Sequence, residues 1–246
     1  MVQLDVNTKV GDWVAQHPRT SRVFERLRID YCCGGGTAVE QACWDRRLDP
    51  REVLIGLQQA IESAGGDPDQ NWAAAPLAEL CDHIERTHHA YLRSELPRLT
   101  EMVSKVIGAH GASHPELPEL GQVFAELRAE LEPHMLKEEH VLLLKEEHVL
   151  FPAIRRIEQT AAGVNFPFGT VANPIRAMED EHGHAGNALA RIRELTRSFA
   201  VPDDACNTYR AMLDALRDLE SDLHQHIHKE NNILFPRAIE LERMRA

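Results

Sequence analysis

Apolar residues recur at helical spacing along most of this chain. The spacing predicts four long amphipathic helices, at roughly Pro76 to Gly108, Leu117 to Ile157, Pro174 to Phe199 and Asp203 to Arg243. Glycine and proline are concentrated between these segments, and no run of alternating β-branched residues indicates a strand. Because the connections are short, successive helices should run antiparallel in an up-down four-helix bundle. We therefore expect an all-α protein.

A smaller helical unit is expected before the bundle. Its short helices are predicted near Val10 to Gln16, after Pro18, around Val39 to Arg46 and around Pro50 to Ser63. A segment of turn-forming residues with little apolar pattern follows them. We divide the chain into a small helical N-terminal domain at residues 1–65, a linker at 66–75 and the bundle at 76–246.

One short pattern occurs twice, in the second and in the fourth predicted bundle helix. His134 and Glu138 form the first copy, His226 and Glu230 form the second, and a Leu-Phe-Pro sequence follows each. Residues four apart lie on one helix face, so each copy presents an imidazole and a carboxylate to the same point. An isolated pair of this kind is commonly a surface pair, but its repetition before the same ending favours a two-metal site.

Two more histidines should lie at the level of this repeat. His226 stands ten residues before Pro236, His182 eight after Pro174, and His89 thirteen after Pro76. With about 1.5 Å of rise per residue in an antiparallel bundle, these positions fall at one height. The predicted metal ligands are therefore His89, His134, Glu138, His182, His226 and Glu230.

The remaining histidines are interpreted differently. His110 lies 21 residues beyond His89, which is about 30 Å along a helix, so we leave it out of the site and place it near a helix C-terminus. Surface positions, or positions next to the ligands, are expected for His83, His88, His184, His224 and His228.

An eight-residue segment is duplicated in the second bundle helix. Leu136 to Leu143 is repeated nearly unchanged as Leu144 to Phe151. We expect the helix register to be kept at His134 and Glu138, because a correctly formed metal site outweighs the end contact of the helix. The extra residues should then extend the helix beyond the bundle or displace Phe151.

Two further expectations concern this duplicated segment. Glu146 has Leu142, not a histidine, four residues before it. The alternative that Glu146 binds the metal would therefore cost the site one histidine. Partial exposure of Val141 to Leu144 would create a surface for self-association, for example in a homodimer, or for a partner.

The ligand types narrow the choice of metal. Imidazole binds zinc, copper, iron and nickel, whereas carboxylates bridge hard cations, and no thiolate lies at a matching position. This mixture favours a non-haem di-iron centre and leaves di-manganese or mixed occupancy as alternatives.

Composition excludes several classes of function. A net charge of −12 argues against a nucleic-acid partner, which would need a basic face. We expect no membrane insertion and a cytoplasmic location, because long apolar spans and a signal peptide are both lacking. Five cysteines, an odd number, indicate reduced thiols.

Cys32 and Cys33 are the second chemical feature of the chain. Adjacent α-carbons are about 3.8 Å apart, closer than disulfide-bonded residues normally are. The glycines that follow them let a partner approach the backbone. The pair is therefore predicted to act as exposed redox or transfer thiols; the alternative is two small buried residues at a helix end.

The combination of motifs resembles a known family. Asp30-Tyr31-Cys32-Cys33-Gly34-Gly35, then Pro76-Leu77-Ala78-Glu79-Leu80, then the two repeats are similar to the repair-of-iron-centres proteins, the iron–sulfur cluster repair di-iron proteins with a hemerythrin-like bundle. The resemblance implies two non-haem irons per chain, joined by an oxo or hydroxo group. It further implies that the four histidines are terminal ligands and that Glu138 and Glu230 bridge the irons.

The resemblance also implies a function. The protein would restore iron–sulfur clusters damaged by nitrosative or oxidative stress, by supplying iron or by handling nitric oxide. Its partners would be proteins with damaged clusters, and nitric oxide or oxygen would be its small ligands. That role is closer to a metal-binding repair protein than to a conventional enzyme.

Two other functions compete with repair. A hemerythrin-like sensor or carrier of oxygen or nitric oxide would not need the N-terminal Cys-Cys domain. A ferritin-like carboxylate di-iron oxidase is suggested by Glu85-x-x-His88 and Glu179-x-x-His182. That second alternative leaves the repeated His134 and His226 unexplained.

Overall fold

The N-terminal part of the chain folds into four short helices. The computed structural model describes residues 5–62, 71–139, 150–161 and 163–246, with the side chains of 137–139 excepted. The four helices are α1 (Val10–Gln16), α2 (Ser21–Leu27), which follows a 3-10 turn at Pro18–Thr20, α3 (Val39–Arg46) and α4 (Pro50–Glu62). Each lies where the apolar pattern predicts it.

Four long helical rods follow and form the bundle. The first rod consists of α5 (Leu77–Ile84), a π-helical turn (Glu85–His89) and α6 (Ala90–His110), and the second of α7 (Leu117–Glu139) and α8 (Leu150–Gln159). The third rod is α9 (Ala172–Leu195). The fourth consists of α10 (Asn207–Lys229), a second π-helical turn (Glu230–Leu234) and α11 (Phe235–Arg245). The start of the first rod, α5, packs against the end of the second, α8, as antiparallel neighbours do. The all-α prediction is confirmed. Within the described ranges, none of the helices is long and apolar enough to cross a membrane.

The apolar core of the bundle is divided into two clusters. One is built from α6, α7, α9 and α10, and the other from α5, α8, α11 and the start of α9. On the first, third and fourth rods, His89, His182 and Glu230 fall between the stretches that supply the two clusters. A buried polar layer therefore crosses the bundle, and burying such groups requires partners for them.

Both π-helical turns coincide with this layer. His89 ends the first turn and Glu230 begins the second. A π turn holds one residue more than an α turn and often occurs at functional sites. The two turns therefore set the angle at which His89 and Glu230 face the bundle interior.

The internal repeat extends beyond Leu-Phe-Pro. Glu158 and Glu242 each lie six residues after the repeated proline. Glu158 accepts hydrogen bonds from the backbone N–H groups of Leu77 and Ala78, at 2.7 and 2.8 Å. Glu242 accepts one from the N–H of Val171, at 3.1 Å. A carboxylate thus satisfies free backbone donors at the start of α5 and at the start of α9.

His134, just before the duplicated segment, and Phe151, at its end, both lie in the bundle interior. His134 lies in the polar layer, where the expected register would place it. Of the two outcomes expected for the extra residues, displacement of Phe151 does not occur: Phe151 is fully buried, and its ring lies parallel to that of His89 with 5.9 Å between the ring centroids. Packing of α8 against α5 and α11 keeps Phe151 in position. Residues 140–149 are outside the described ranges, and with them the expected exposure of Val141 to Leu144.

The N-terminal helices dock on the second π-helical turn. The side-chain amide of Asn232 donates to the carbonyl oxygens of Tyr31 and Cys32, at 3.2 and 3.0 Å. Gly35 packs against the same amide, and a Cβ atom there would also lie 2.7 Å from the Tyr31 carbonyl oxygen. This close approach explains a glycine at position 35.

Candidate metal centre

Four imidazoles and one carboxylate meet in the polar layer. His89, His226 and Glu230 form one group, and His134, His182 and Glu230 form another, with all ligand atoms of a group within 4.8 Å of one another. Glu230 reaches both groups: its Oε1 lies 2.8 Å from Nε2 of His226, and its Oε2 lies 3.0 Å from Nε2 of His182. Glu230 therefore has the position of a carboxylate that bridges two metal ions.

The two histidine pairs face each other through their Nε2 atoms. The distance is 3.1 Å between His89 and His226, and 3.2 Å between His134 and His182. Nδ1 of His134 lies 2.9 Å from Oε2 of Glu181, and Nδ1 of His182 lies 2.7 Å from Oδ1 of Asn231. Both oxygens are acceptors for an N–H on Nδ1, and such a hydrogen bond leaves the Nε2 atoms of these two rings for a metal ion.

This arrangement suits a cation. A metal ion beside the facing Nε2 atoms of His134 and His182 could accept a lone pair from each ring. Burial lowers the pKa of His226 to about 4, although Glu230 opposes the shift, so His226 is neutral near pH 7 and free to coordinate. Glu230 is fully buried, and a buried carboxylate also needs a countercharge. The residues present therefore fit a centre of two divalent or trivalent ions with nitrogen and oxygen ligands.

The repeated Leu-Phe-Pro sequence supplies the walls of the site. The ring of Phe151 lies parallel to that of His89, and the ring of Phe235 lies parallel to that of His182 at 6.0 Å. Both phenylalanines are fully buried. They fix the ring planes of two candidate ligands and keep water away from them.

The second bridging carboxylate predicted from the sequence, Glu138, has its backbone in α7. Its side chain lies outside the described part of the structure, as do His140, Glu146 and His148. The choice between Glu138 and Glu146 therefore stays a prediction.

Comparison with known proteins agrees with this geometry. The family described as hemerythrin HHE cation binding domain matches residues 80–238, and a domain of unknown function, DUF542, matches residues 6–61. Relatives named iron-sulfur cluster repair protein YtfE, from Citrobacter koseri, Escherichia coli O157:H7 and Shigella boydii serotype 4, are each 35% identical over 231 residues. The alignments cover 94% of this chain and 96% of each relative. The chain belongs to the iron–sulfur cluster repair protein family. The resemblance read from its motifs is confirmed.

In this member of the repair family, the two adjacent thiols occupy different environments. Cys32 is buried and Cys33 is exposed, so the prediction of an exposed pair is correct for Cys33 alone. The sulfur atoms lie 4.0 Å apart. A hydrogen bond from Cys32 lowers the pKa of Cys33, whereas the same bond, with burial, raises the pKa of Cys32. Cys33 is therefore the more readily ionised thiol of the two.

The Cys33 thiol also touches the metal-binding layer. Its sulfur lies 3.3 Å from the carbonyl oxygen of His182. Both cysteines line a cleft of about 880 Å³ between the N-terminal helices and the bundle. The cleft thus opens the Cys33 thiol, which contacts the His182 carbonyl oxygen, to solvent.

A row of polar side chains lies next to the centre, in which His83 and His88 were expected from the sequence and Asp222 and Lys229 were missed. Nδ1 of His88 lies 2.8 Å from Asp222, and Nζ of Lys229 lies 2.7 Å from Nε2 of His88 and 2.9 Å from Nε2 of His83. Burial raises the pKa of Asp222 to about 6 and lowers that of Lys229 to about 8. The sequence did hold one signal for this row, which is that His88 directly precedes the candidate ligand His89 and Lys229 directly precedes Glu230.

The glutamates of the ferritin-like pattern lie away from the centre. Glu85 pairs with Arg155 at 2.9 Å, and Glu179 is exposed. His88 belongs to neither candidate group. His110 ends α6, far along the bundle, as the distance argument required.

Proposed function

We propose that this protein repairs iron–sulfur clusters damaged by nitrosative or oxidative stress in the cytoplasm. In this proposal it holds two non-haem irons with His89, His134, His182, His226, Glu138 and Glu230. Glu230, whose two oxygens reach the two histidine groups, and Glu138 would be the carboxylates shared by both irons. Its protein partners are those whose clusters have been damaged.

The contact between Cys33 and His182 carries this proposal. A sensor or carrier of oxygen or nitric oxide needs only the bundle, whereas here an accessible thiol lies 3.3 Å from the backbone of a candidate iron ligand. Thiolate is a soft ligand that binds iron and iron–sulfur clusters. The depressed pKa of Cys33 favours that thiolate.

The ligand set suits a centre that exchanges iron or binds a small diatomic ligand. Two histidines per iron and shared carboxylates leave coordination positions open, and iron in such positions supplies Lewis-acid and redox chemistry. The side chains around it have separate tasks. Glu181 and Asn231 orient two imidazoles, Phe151 and Phe235 exclude water, and the thiol of Cys33, once it has lost its proton, could bind iron at the edge of the cleft.

A repair assay with a damaged client tests the proposal. Iron-loaded protein is mixed with a [4Fe–4S] enzyme that nitric oxide has inactivated, and recovery of the client cluster is followed spectroscopically. The Cys32→Ser, Cys33→Ser double variant should keep its iron and lose most of the repair rate. Cys43→Ala, which changes a buried cysteine of the N-terminal helices, serves as the matched control.

Two results would contradict the proposal. Repair at the wild-type rate by the double variant would show that the thiols are not needed for repair. Repair by His182→Ala protein that has lost its iron would show that the metal centre is not needed.

A further inference from the structure

A second group of metal-binding side chains lies at the other end of the bundle. His110, His114 and Asp204 place one ligand atom each within 4.8 Å of one another. His110 is the last of the 21 residues of α6, about 30 Å of helix beyond His89. This group is therefore separate from the candidate di-iron centre.

Local backbone structure brings the two imidazoles together. The N–H of His114 donates to the carbonyl oxygen of His110 at 2.9 Å, so helical spacing continues past the end of α6. The centroids of the His110 and His114 rings lie 6.1 Å apart. Both rings flank that of Tyr209, with centroid distances of 5.3 Å for His110 and 5.5 Å for His114. Asp204 comes from the connection between α9 and α10.

A carboxylate orients the second imidazole. Nδ1 of His114 lies 3.2 Å from Oε1 of Glu116, and Nε2 of His114 lies 3.0 Å from Oδ1 of Asp204. In zinc proteins a ligand histidine commonly donates its other N–H to a carboxylate in this way. Glu116 therefore holds His114 with Nε2 turned towards Asp204 and His110.

An exposed thiol lies beside this group. Cys206 precedes the first residue of α10. The backbone N–H of Tyr209 and the nearby imidazole of His110 lower the pKa of its thiol. A sulfur at a helix N-terminus and next to an imidazole is readily ionised.

We propose that His110, His114, Asp204 and Cys206 bind one zinc ion. Two imidazoles, one carboxylate and one thiolate are the donors of four-coordinate zinc sites. A plain surface ion pair between His114 and Asp204 would contribute little and would not require His110 and Cys206 beside it. The ion joins the α6–α7 turn to the α9–α10 connection and so fastens the two halves of the bundle at this end.

Cobalt(II) titration of the iron-loaded full-length protein tests this site, because the di-iron centre is then filled. Wild type should bind one cobalt per chain, with tetrahedral d–d bands and a thiolate-to-cobalt charge-transfer band, and zinc should displace it. His110→Ala and His114→Ala should weaken zinc binding by roughly tenfold or more. His17→Ala, which alters a histidine outside both groups, should bind as wild type does.

The iron signal separates this proposal from the repair function. Mössbauer spectra of all four proteins should show the same iron content, because the two centres are far apart. Wild type that binds no cobalt, cobalt bound without a thiolate band, or equal zinc affinity in wild type and His114→Ala would each overturn the four-ligand site.

Discussion

At the scale of single residues, the centre depends on what holds each imidazole ring in place. The four histidines and Glu230 could be predicted because helical spacing and bundle height are visible in the sequence. Glu181 and Asn231 could not be, since each orients a histidine on another helix. Such contacts depend on how the rods pack, and no spacing along one helix reports them.

Glu181→Ala should weaken iron binding while the fold is kept. Its carboxylate fixes the proton on Nδ1 of His134, and loss of such a partner typically costs about 10- to 100-fold in metal affinity. Competition with a chelator measures this. Glu179→Ala, on the same helix but exposed, is the control and should behave as wild type does. Equal affinities in the two variants would contradict the orienting role.

At the scale of helices, the apolar pattern placed the rods correctly but gave no sign of their irregularities. A π turn inserts one residue without a sequence signal, so Glu85–His89 and Glu230–Leu234 were not predicted. The effect of the duplication on the second rod was predicted only in part. His134 lies where the expected register would place it, but contacts of α8 with other rods also kept Phe151 in place.

Deleting Leu136 to Leu143 should preserve iron binding. The deletion gives the second rod the ten-residue spacing from histidine to proline that His226 and Pro236 have, with Glu146 at the position of Glu138. Iron content and circular dichroism measure the outcome. Loss of the di-iron signal with helix content intact in the eight-residue deletion would show that the duplicated segment itself builds the site.

At the scale of the whole molecule, the second π-helical turn joins the metal layer to the N-terminal helices. Glu230 faces the histidines, Asn231 orients His182, and Asn232 binds the loop that carries the cysteines. The sequence predicted the helices of both parts. It gave no docking geometry, because that depends on contacts between residues about 200 positions apart.

Gly35→Ala should loosen this docking. The new Cβ would overlap the side chain of Asn232 and approach the carbonyl oxygen of Tyr31 to 2.7 Å. Overpacking of this kind costs about 1–3 kcal/mol. Gly36→Ala is the matched control, since nothing lies within 4 Å of its Cβ. Urea unfolding and the alkylation rate of Cys33 report the effect; equal results for both variants would contradict the close fit.

Acid should destabilise the iron-free protein. Burial lowers the pKa of His228 to about 4. The unfolded chain therefore binds more protons than the folded one below about pH 6.5, and stability falls as the pH falls from there towards 4. Between pH 7.5 and 5 this one group contributes a loss of about 2 kcal/mol. Urea titrations should show that the free energy of unfolding changes by about 2 kcal/mol less between these pH values in His228→Gln than in the wild type. His184→Gln, at an exposed position, is the control and should show the wild-type pH dependence.

The most direct test of the account is anaerobic iron analysis combined with Mössbauer spectroscopy. Wild type should contain two irons per chain as a magnetically coupled pair. Glu230→Ala should lose both, because Glu230 is the carboxylate common to the two histidine groups. Glu179→Ala and His110→Ala should keep the wild-type spectrum, since neither residue lies at the centre. A folded Glu230→Ala protein with two irons and an unchanged spectrum would contradict the central claim.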